Sequence, residues 1–187
     1  FSLRGIVLLG TFKSAEILPT FDYELSLQPD FSLGFQTSTP PEGYPLYKGK
    51  GQCFMKIDLS NRGLRGDGNF TFNGSDVQSG EMIFFPDSML ATNTTFIMKD
   101  HPKKKFPDVT SEKALVTWSP YQDTMVIAAV DSASYINMYE KESFLKGALI
   151  FTKANMFGNG EFNYKHSVVS SDYFDFKYRK LNADSTL

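Results

Sequence analysis

The chain has 187 residues, of which 41% are hydrophobic, 21% are charged and 15% are aromatic. This is the composition of an ordinary globular domain, with an excess of flat rings that suit pleated sheets. The formal net charge of −2 argues against binding to nucleic acid, because nucleic-acid-binding surfaces are basic. No stretch approaches the roughly 18 apolar residues that a transmembrane helix needs, so no span is predicted.

Read from the N-terminus, the chain alternates hydrophobic and polar residues with period two, which is typical of strands with one buried face. The first clear case is "FDYELSLQ" at residues 21–28. The alternation recurs in "CFMKIDLS", "NFTFN", "EMIFF", "TFIMK", "ALVTWS", "TMVIAAV", "ALIFT", "EFNYK" and "DYFDFKY". Clusters of Gly, Pro, Asn and Asp separate these segments at intervals of roughly 8–12 residues, as in all-β domains. Only "SYINMYEKESF" at residues 134–144 is compatible with a helical turn.

An internal repeat is visible within this pattern. The segment "GLRGDGNFTFNGSDVQSGEMIFF" aligns with "NMFGNGEFNYKHSVVSSDYFDFK" at a constant offset of 92 residues, the difference between 158 and 66. The offset places Gly66 on Gly158, Gly68 on Gly160, Phe70 on Phe162 and Phe72 on Tyr164. The sequence therefore predicts two related β-units, each with a G-x-G turn before a strand.

The glycines of this turn, Gly66, Gly68, Gly158 and Gly160, are interpreted as structural. A G-x-G before a strand allows backbone conformations with positive φ where the chain reverses or bulges. A dinucleotide-binding fingerprint would open a helix, and a P-loop would need Gly-Lys-Ser/Thr; the segment has neither. It also lacks the spaced acidic residues of a calcium loop.

Residue types for metal or nucleophilic chemistry are scarce, with two histidines and one cysteine in the chain. Neither histidine lies in a recognisable ligand or nucleophile motif, so no metal or cofactor is predicted. Two carboxylates meeting across a sheet would make a glycosidase-type pair. The candidates, Asp67, Asp87, Asp123, Glu140 and Glu142, fit equally well as turn residues, and the prediction is that the protein is not an enzyme.

A ligand-binding hypothesis rests on four aromatic residues. Trp118 and Tyr121 lie in "TWSPYQD", and Tyr135 and Tyr139 lie in "SYINMY". Together they could form a stacking surface for sugars, because aromatic faces pack against apolar ring surfaces. The alternative is that Trp118 belongs to the core and Tyr121 braces a turn.

Several short motifs occur in an order that resembles a known group of proteins. They are "SLGF" (32–35), "PEGYPLYKGKG" (41–51), "GLRGDG" (63–68), "FFPDS" (84–88) and "WSPYQD" (118–123). Over residues 1–178 the chain resembles the repeat region of large uncharacterised β-rich cell-envelope proteins of Gram-negative bacteria. The resemblance implies a secreted, envelope-associated protein, in the periplasm or at the outer membrane, and a longer polypeptide of which this chain is an excerpt. It implies no activity and no catalytic residues.

The sequence thus predicts an all-β fold, with antiparallel sheets built from two related β-units in a sandwich or a solenoid-like stack. The expected segments are N-terminal strands (1–46), a first G-x-G unit (47–95), connecting strands (96–142) and a second G-x-G unit (143–187). The expected role is a non-catalytic structural or scaffolding module. Glycan binding through exposed aromatics and a lipid-carrying β-groove are the alternatives. The expected partners are the remainder of a longer chain, other envelope proteins or glycan, and not nucleic acid.

Overall fold

The computed structural model describes residues 17, 26–27, 33–36, 42–60, 62–99 and 106–177. Within these ranges the chain forms a 13-stranded antiparallel sheet. The strands are β1 (Ser26–Leu27), β2 (Leu33–Gln36), β3 (Tyr44–Leu46), β4 (Gly51–Ser60), β5 (Gly63–Phe72), β6 (Ser75–Phe84), β7 (Met89–Met98), β8 (Val109–Ser119), β9 (Thr124–Ala129), β10 (Ile136–Met138), β11 (Ser143–Thr152), β12 (Met156–Tyr164) and β13 (Ser167–Asp175). The predicted all-β antiparallel class is confirmed.

Most of the sheet is a meander, because each strand from β4 to β8 pairs with the strand that follows it. Beyond β8, the strands β9 and β10 both lie between β8 and β11, one at each end of these two longer strands. Strands β12 and β13 then complete the sheet. Most of the predicted N-terminal strands at residues 1–46, including 21–25, lie outside the described residues. In the described part of the chain, no helix has the length and apolar character needed to cross a membrane.

One face of the meander is buried, as the period-two pattern predicts. In β4, Cys53, Met55 and Ile57 are fully buried, whereas Phe54 and Lys56 between them are partly or fully exposed. This alternation turns every second side chain toward the core. It continues through β7 and β8.

The sheet covers its own buried face by curling. The ring of Trp118 on β8 lies 4.7 Å from the ring of Phe70 on β5, and the ring of Phe96 on β7 lies 5.9 Å from that of Phe151 on β11. Strands three positions apart in a flat sheet are about 14 Å apart, so these contacts require strong curvature. The core is therefore built from rings that are distant in sequence.

The segment compatible with a helical turn, residues 134–144, does not form one. It contains β10 and the start of β11, joined by a turn at residues 139–142. Tyr139, Glu140 and Lys141 have φ values of 54°, 55° and 67°, which is the left-handed region that non-glycine residues rarely occupy. The prediction failed because apolar residues spaced for a helix here belong to a short strand and a tight reversal.

Four successive strands recur at the offset of 92 residues. Strands β3 and β4 match β10 and β11 at both ends, and β5 and β6 match β12 and β13 to within one residue. We call residues 44–84 the first unit and residues 136–176 the second unit. The correspondence begins at β10, before the start at residue 143 that the sequence predicts for the second unit.

Both units contain a bulge at the same place. Opposite Gly66 and Gly68, strand β6 carries one extra residue, and β13 carries one extra residue opposite Gly158 and Gly160. A serine beside each bulge bonds the backbone two residues further on, through the pairs Ser79–Glu81 and Ser171–Tyr173. The two glycine pairs therefore occupy matching surroundings. They lie inside β5 and β12 at a bulge, and not in the turn before a strand that the sequence predicts.

The second glycine of each pair is required by close backbone contact. Gly68 has a φ of 148° and Gly160 a φ of 112°, values that disfavour any side chain. A Cβ on Gly68 would lie 2.6 Å from the carbonyl oxygen of Phe54, and one on Gly160 would meet the carbonyl oxygen of Lys146. Phe54 and Lys146 are themselves related by the same offset.

Candidate functional site

The first unit contains a closed aromatic cluster, which we define as Tyr47, Phe70, Phe72, Phe84 and Trp118. The indole of Trp118 lies 5.3 Å from the ring of Tyr47, edge to face, and 5.0 Å from the ring of Phe72. Trp118, Tyr47 and Phe70 are at most 1% exposed. Trp118 comes from β8, outside the first unit, so a later strand closes this cluster.

Tyr47 anchors the closed cluster to the loop that follows β6. Its hydroxyl group lies 2.7 Å from the carbonyl oxygen of Phe85 and 2.6 Å from that of Ser88, and these two acceptors share its single proton. Burial raises the pKa of Tyr47 well above its usual value, because a phenolate in this apolar site would lose its hydration. The residue is therefore held as a neutral donor.

The second unit repeats this arrangement. Tyr139 stands at the position of Tyr47, and its hydroxyl group donates to the carbonyl oxygen of Lys177 at 3.3 Å. Lys177 is in turn the counterpart of Phe85 at the same offset. Burial also raises the pKa of Tyr139. The two tyrosines thus perform the same structural task, and Tyr139 is less buried.

The aromatic cluster of the second unit is open. Its rings line a groove of about 650 Å³ with three charged side chains at the rim, and the lining consists of Tyr139, Glu142, Phe162, Tyr164, Phe174, Asp175, Phe176 and Lys177. The ring of Phe162 lies 5.9 Å from that of Phe174 and 5.5 Å from that of Phe176. Within the described ranges, no aromatic ring covers this groove as Trp118 covers the first cluster. We call it the open groove.

Strand β13 beside the open groove is a long edge strand with exposed hydrophobic side chains. Val168 is 59% exposed, Val169 52% and Tyr173 61%. The counterpart of Val169 in the first unit is Val77, which is fully buried because β7 pairs with β6 at that position. Among the described residues, β13 pairs with β12 and with no other strand.

The four aromatic residues predicted as a stacking surface do not come together. Trp118 is fully buried, which agrees with the alternative that this residue belongs to the core and not with a stacking surface, because the curl of the sheet carries it into the core. Tyr121 and Tyr135 are about half exposed but lie at opposite ends of β8, a strand roughly 35 Å long. Tyr139 alone lines the open groove.

The five candidate carboxylates are dispersed over several turns and strands. Asp123 forms ion pairs with Lys50 and Lys153 at 3.9 and 3.4 Å, and Glu142 lines the open groove.

A sixth carboxylate, Asp131, has a shifted pKa. Hydrogen bonds from Lys113 and Ser134 lower its carboxyl pKa to about 2. A general acid needs the opposite shift. Among the described residues, no cluster of three His, Cys, Asp or Glu side chains has metal-binding geometry.

No family model, no curated protein and no solved structure matches this chain. The interpretation of the open groove therefore rests on its own geometry and on the comparison of the two units.

The sequence contains a hint of the tyrosine pair that the pattern search missed. "YKGKG" and "YEKES" start at Tyr47 and Tyr139, which are 92 positions apart, the offset of the glycine pairs. Tyr47, Lys48 and Gly49 have φ values of 49°, 58° and 81°, so the first unit contains the same left-handed turn as the second. The two segments nevertheless share only the tyrosine, because such a turn can be built with or without glycine.

The open groove itself has no sequence signature. Its rings differ from the first unit at Tyr164, which replaces Phe72, and at Phe174, which replaces Met82, but neither change tells from the sequence alone what covers the rings.

Proposed function

We propose that the chain is a non-catalytic structural module, in which strands outside a β-unit bury its aromatic cluster within a continuous sheet. The observation that carries the proposal is Trp118. Trp118 lies on β8, and its indole packs on the rings of Tyr47, Phe70 and Phe72 at centroid distances of 4.7–5.3 Å. A unit that cannot bury its own rings needs a neighbouring segment to cover them, as in repeat proteins.

The resemblance of the ordered motifs to envelope proteins supports a location outside the cytoplasm, in the periplasm or at the outer membrane. In such a setting the module would extend a scaffold rather than transform a substrate. Burial of Trp118 weighs against the glycan alternative, because stacking on sugars needs an exposed face.

A second candidate function is the binding of an apolar ligand, favoured by the open groove. Five aromatic rings and a volume of about 650 Å³ are within the range of small-molecule sites. Glu142, Asp175 and Lys177 at the rim would contact a polar head group or solvent. The size and apolar lining of the open groove therefore support the lipid-carrying alternative.

The structural role is tested by urea unfolding of the full chain. Trp118 fluorescence reports on the closed cluster, and far-ultraviolet circular dichroism reports on the whole sheet. We expect one transition with coincident midpoints, because a cluster that is closed by strands outside its unit should unfold together with them. Two separated transitions would contradict the proposal.

The ligand alternative is tested by titration with dodecanoate, followed by calorimetry. Phe174→Ala removes a groove ring, and Tyr121→Ala is the matched control because Tyr121 is exposed outside the groove lining. Saturable binding that is lost in Phe174→Ala but kept in Tyr121→Ala would replace the structural proposal with a carrier function. We expect no saturable binding.

A further inference from the structure

We propose that the edge of β13 and the open groove bind a β-hairpin of the kind formed by β7 and β8, whose second strand carries a tryptophan. This rests on the proposed function and names the partner: a hairpin from a further β-unit. The first strand of the hairpin would pair with β13. Its tryptophan would cover the open groove.

The edge of β13 has the features of a strand-binding site. A strand with one side unpaired presents backbone N–H and C=O groups that another strand can complete. The sequence of β13, "SVVSSDYFD", has no proline or lysine, which are prominent among the residues that protect an edge, and its two charged residues, Asp172 and Asp175, stand in its C-terminal half. Val168, Val169 and Tyr173 are more than half exposed, so an added strand would also bury hydrophobic surface.

The first unit supplies the pairing register. Strand β7 pairs with β6 through Val77 with Phe96, Met82 with Ala91 and Phe84 with Met89. Moved by the offset of 92, the same three pairs place an incoming strand on Val169, Phe174 and Phe176. Ser79 beside the bulge also donates to the carbonyl oxygen of Thr92 on β7, and Ser171 stands at its counterpart position.

The open groove supplies the place for the tryptophan. In the closed cluster the indole contacts Tyr47, Phe70 and Phe72, whose counterparts Tyr139, Phe162 and Tyr164 all line the open groove. A large aromatic ring gains more from burial than an aliphatic side chain does. The hairpin thus brings a ring to a site that already has its three partners.

One difference between the two units, Gly51 in the first and Ser143 in the second, affects how closely an indole can pack in the open groove. Gly51 lies against the rings of Phe70 and Trp118, and a Cβ there would lie 3.0 Å from the indole. Ser143 replaces it in the second unit, and its hydroxyl group donates to the carbonyl oxygen of Met138. The indole should therefore sit slightly higher in the open groove than in the closed cluster. Removing the Ser143 side chain should improve the fit.

The binding test uses the full 187-residue chain and a fluorescein-labelled synthetic peptide of residues 89–119, followed by anisotropy. We expect saturable binding. The peptide with Trp118→Ala should bind at least about tenfold more weakly, because a buried tryptophan dominates an interface. Equal binding of the two peptides would overturn the proposal.

Variants of the full chain locate the peptide. Val169→Lys should abolish binding by placing a charge on the edge, whereas Val130→Lys, an exposed valine in the loop after β9, should leave it unchanged. Ser143→Gly should tighten binding. If Val169→Lys has no effect on binding, or changes only the self-association seen by sedimentation, the hairpin is not the occupant.

A tethered form avoids any dependence on peptide solubility. In this engineered variant, a second copy of residues 86–119 follows directly after Lys177, the counterpart of Phe85. We expect a higher urea midpoint than for the same chain with the added tryptophan changed to alanine. Equal midpoints would overturn the proposal. This test compares an added hairpin with and without its tryptophan, and so concerns only what binds to β13. A negative result would leave the coincident unfolding of the two units, and hence the structural role, unaffected.

Discussion

The first and second units share their strands, bulge, left-handed turn and tyrosine anchor, yet one is closed and the other is open. Phe70 is fully buried, and its counterpart Phe162 only partly. Val77 is fully buried, whereas Val169 is 52% exposed. The difference arises outside the units, because β7 and Trp118 cover the first unit. A matching backbone therefore does not by itself produce a complete core.

Removal of one ring from each unit should have the largest effect on this comparison. Phe70→Ala should lower the free energy of unfolding by about 3–5 kcal/mol, as expected for a large buried ring. Phe162→Ala should cost only about 1–2 kcal/mol, because a partly buried ring loses less contact. Urea unfolding of both variants measures the difference.

Measuring Phe70→Ala and Phe162→Ala again in a Trp118→Ala background tests whether the indole is the cause of this difference. Without the indole, Phe70→Ala should cost much less than before, because contacting residues are not additive, while Phe162→Ala should cost the same. If the cost of Phe70→Ala does not change, Trp118 does not close the first cluster.

Substitutions at the bulge should affect the two units equally. Gly68→Ala and Gly160→Ala should each cost about 2–3 kcal/mol, because each residue has a positive φ and lies against a backbone carbonyl group. Gly80→Ala is the control, since a Cβ there has no neighbour within 4 Å. A large difference between Gly68→Ala and Gly160→Ala, measured by thermal unfolding, would show that the bulges are not equivalent.

Removing the hydroxyl groups of the two anchoring tyrosines should have the smallest effect on the free energy of unfolding, and this effect should depend on pH. Tyr47→Phe should cost about 1 kcal/mol at neutral pH through the lost hydrogen bond, and Tyr139→Phe less, because its bond is longer and more exposed. The pKa of Tyr47 is raised on folding, so its contribution is present below pH 10, the usual pKa, and is lost as the pH rises above it.

Urea midpoints at pH about 9 and about 11 test this direction. The unmodified chain and Tyr139→Phe should both lose stability over this interval, and Tyr47→Phe should lose less. An equal loss in all three proteins would mean that the titration of Tyr47 does not contribute to alkaline unfolding.

Local sequence patterns were enough to predict the all-β class, the alternation of buried and exposed side chains, and the matching glycine pairs. These features depend on local physics: the period of a strand and the conformational freedom of glycine act over a few residues. The "GLRGDG" and "NMFGNG" segments were sufficient to find the offset that the strand pairing then shares, although the glycines lie at bulges inside strands and not in turns.

Which rings are buried and which are open depends on the assembled sheet. The sequence around Trp118 does not tell whether this residue lies in the core or on the surface, and the curl of the sheet brings it to Phe70 across three strands. The open groove likewise depends on what covers Phe162 among the described strands, since this ring is only partly buried. Burial is a property of the assembled sheet, because it is set by strands that are distant in the chain.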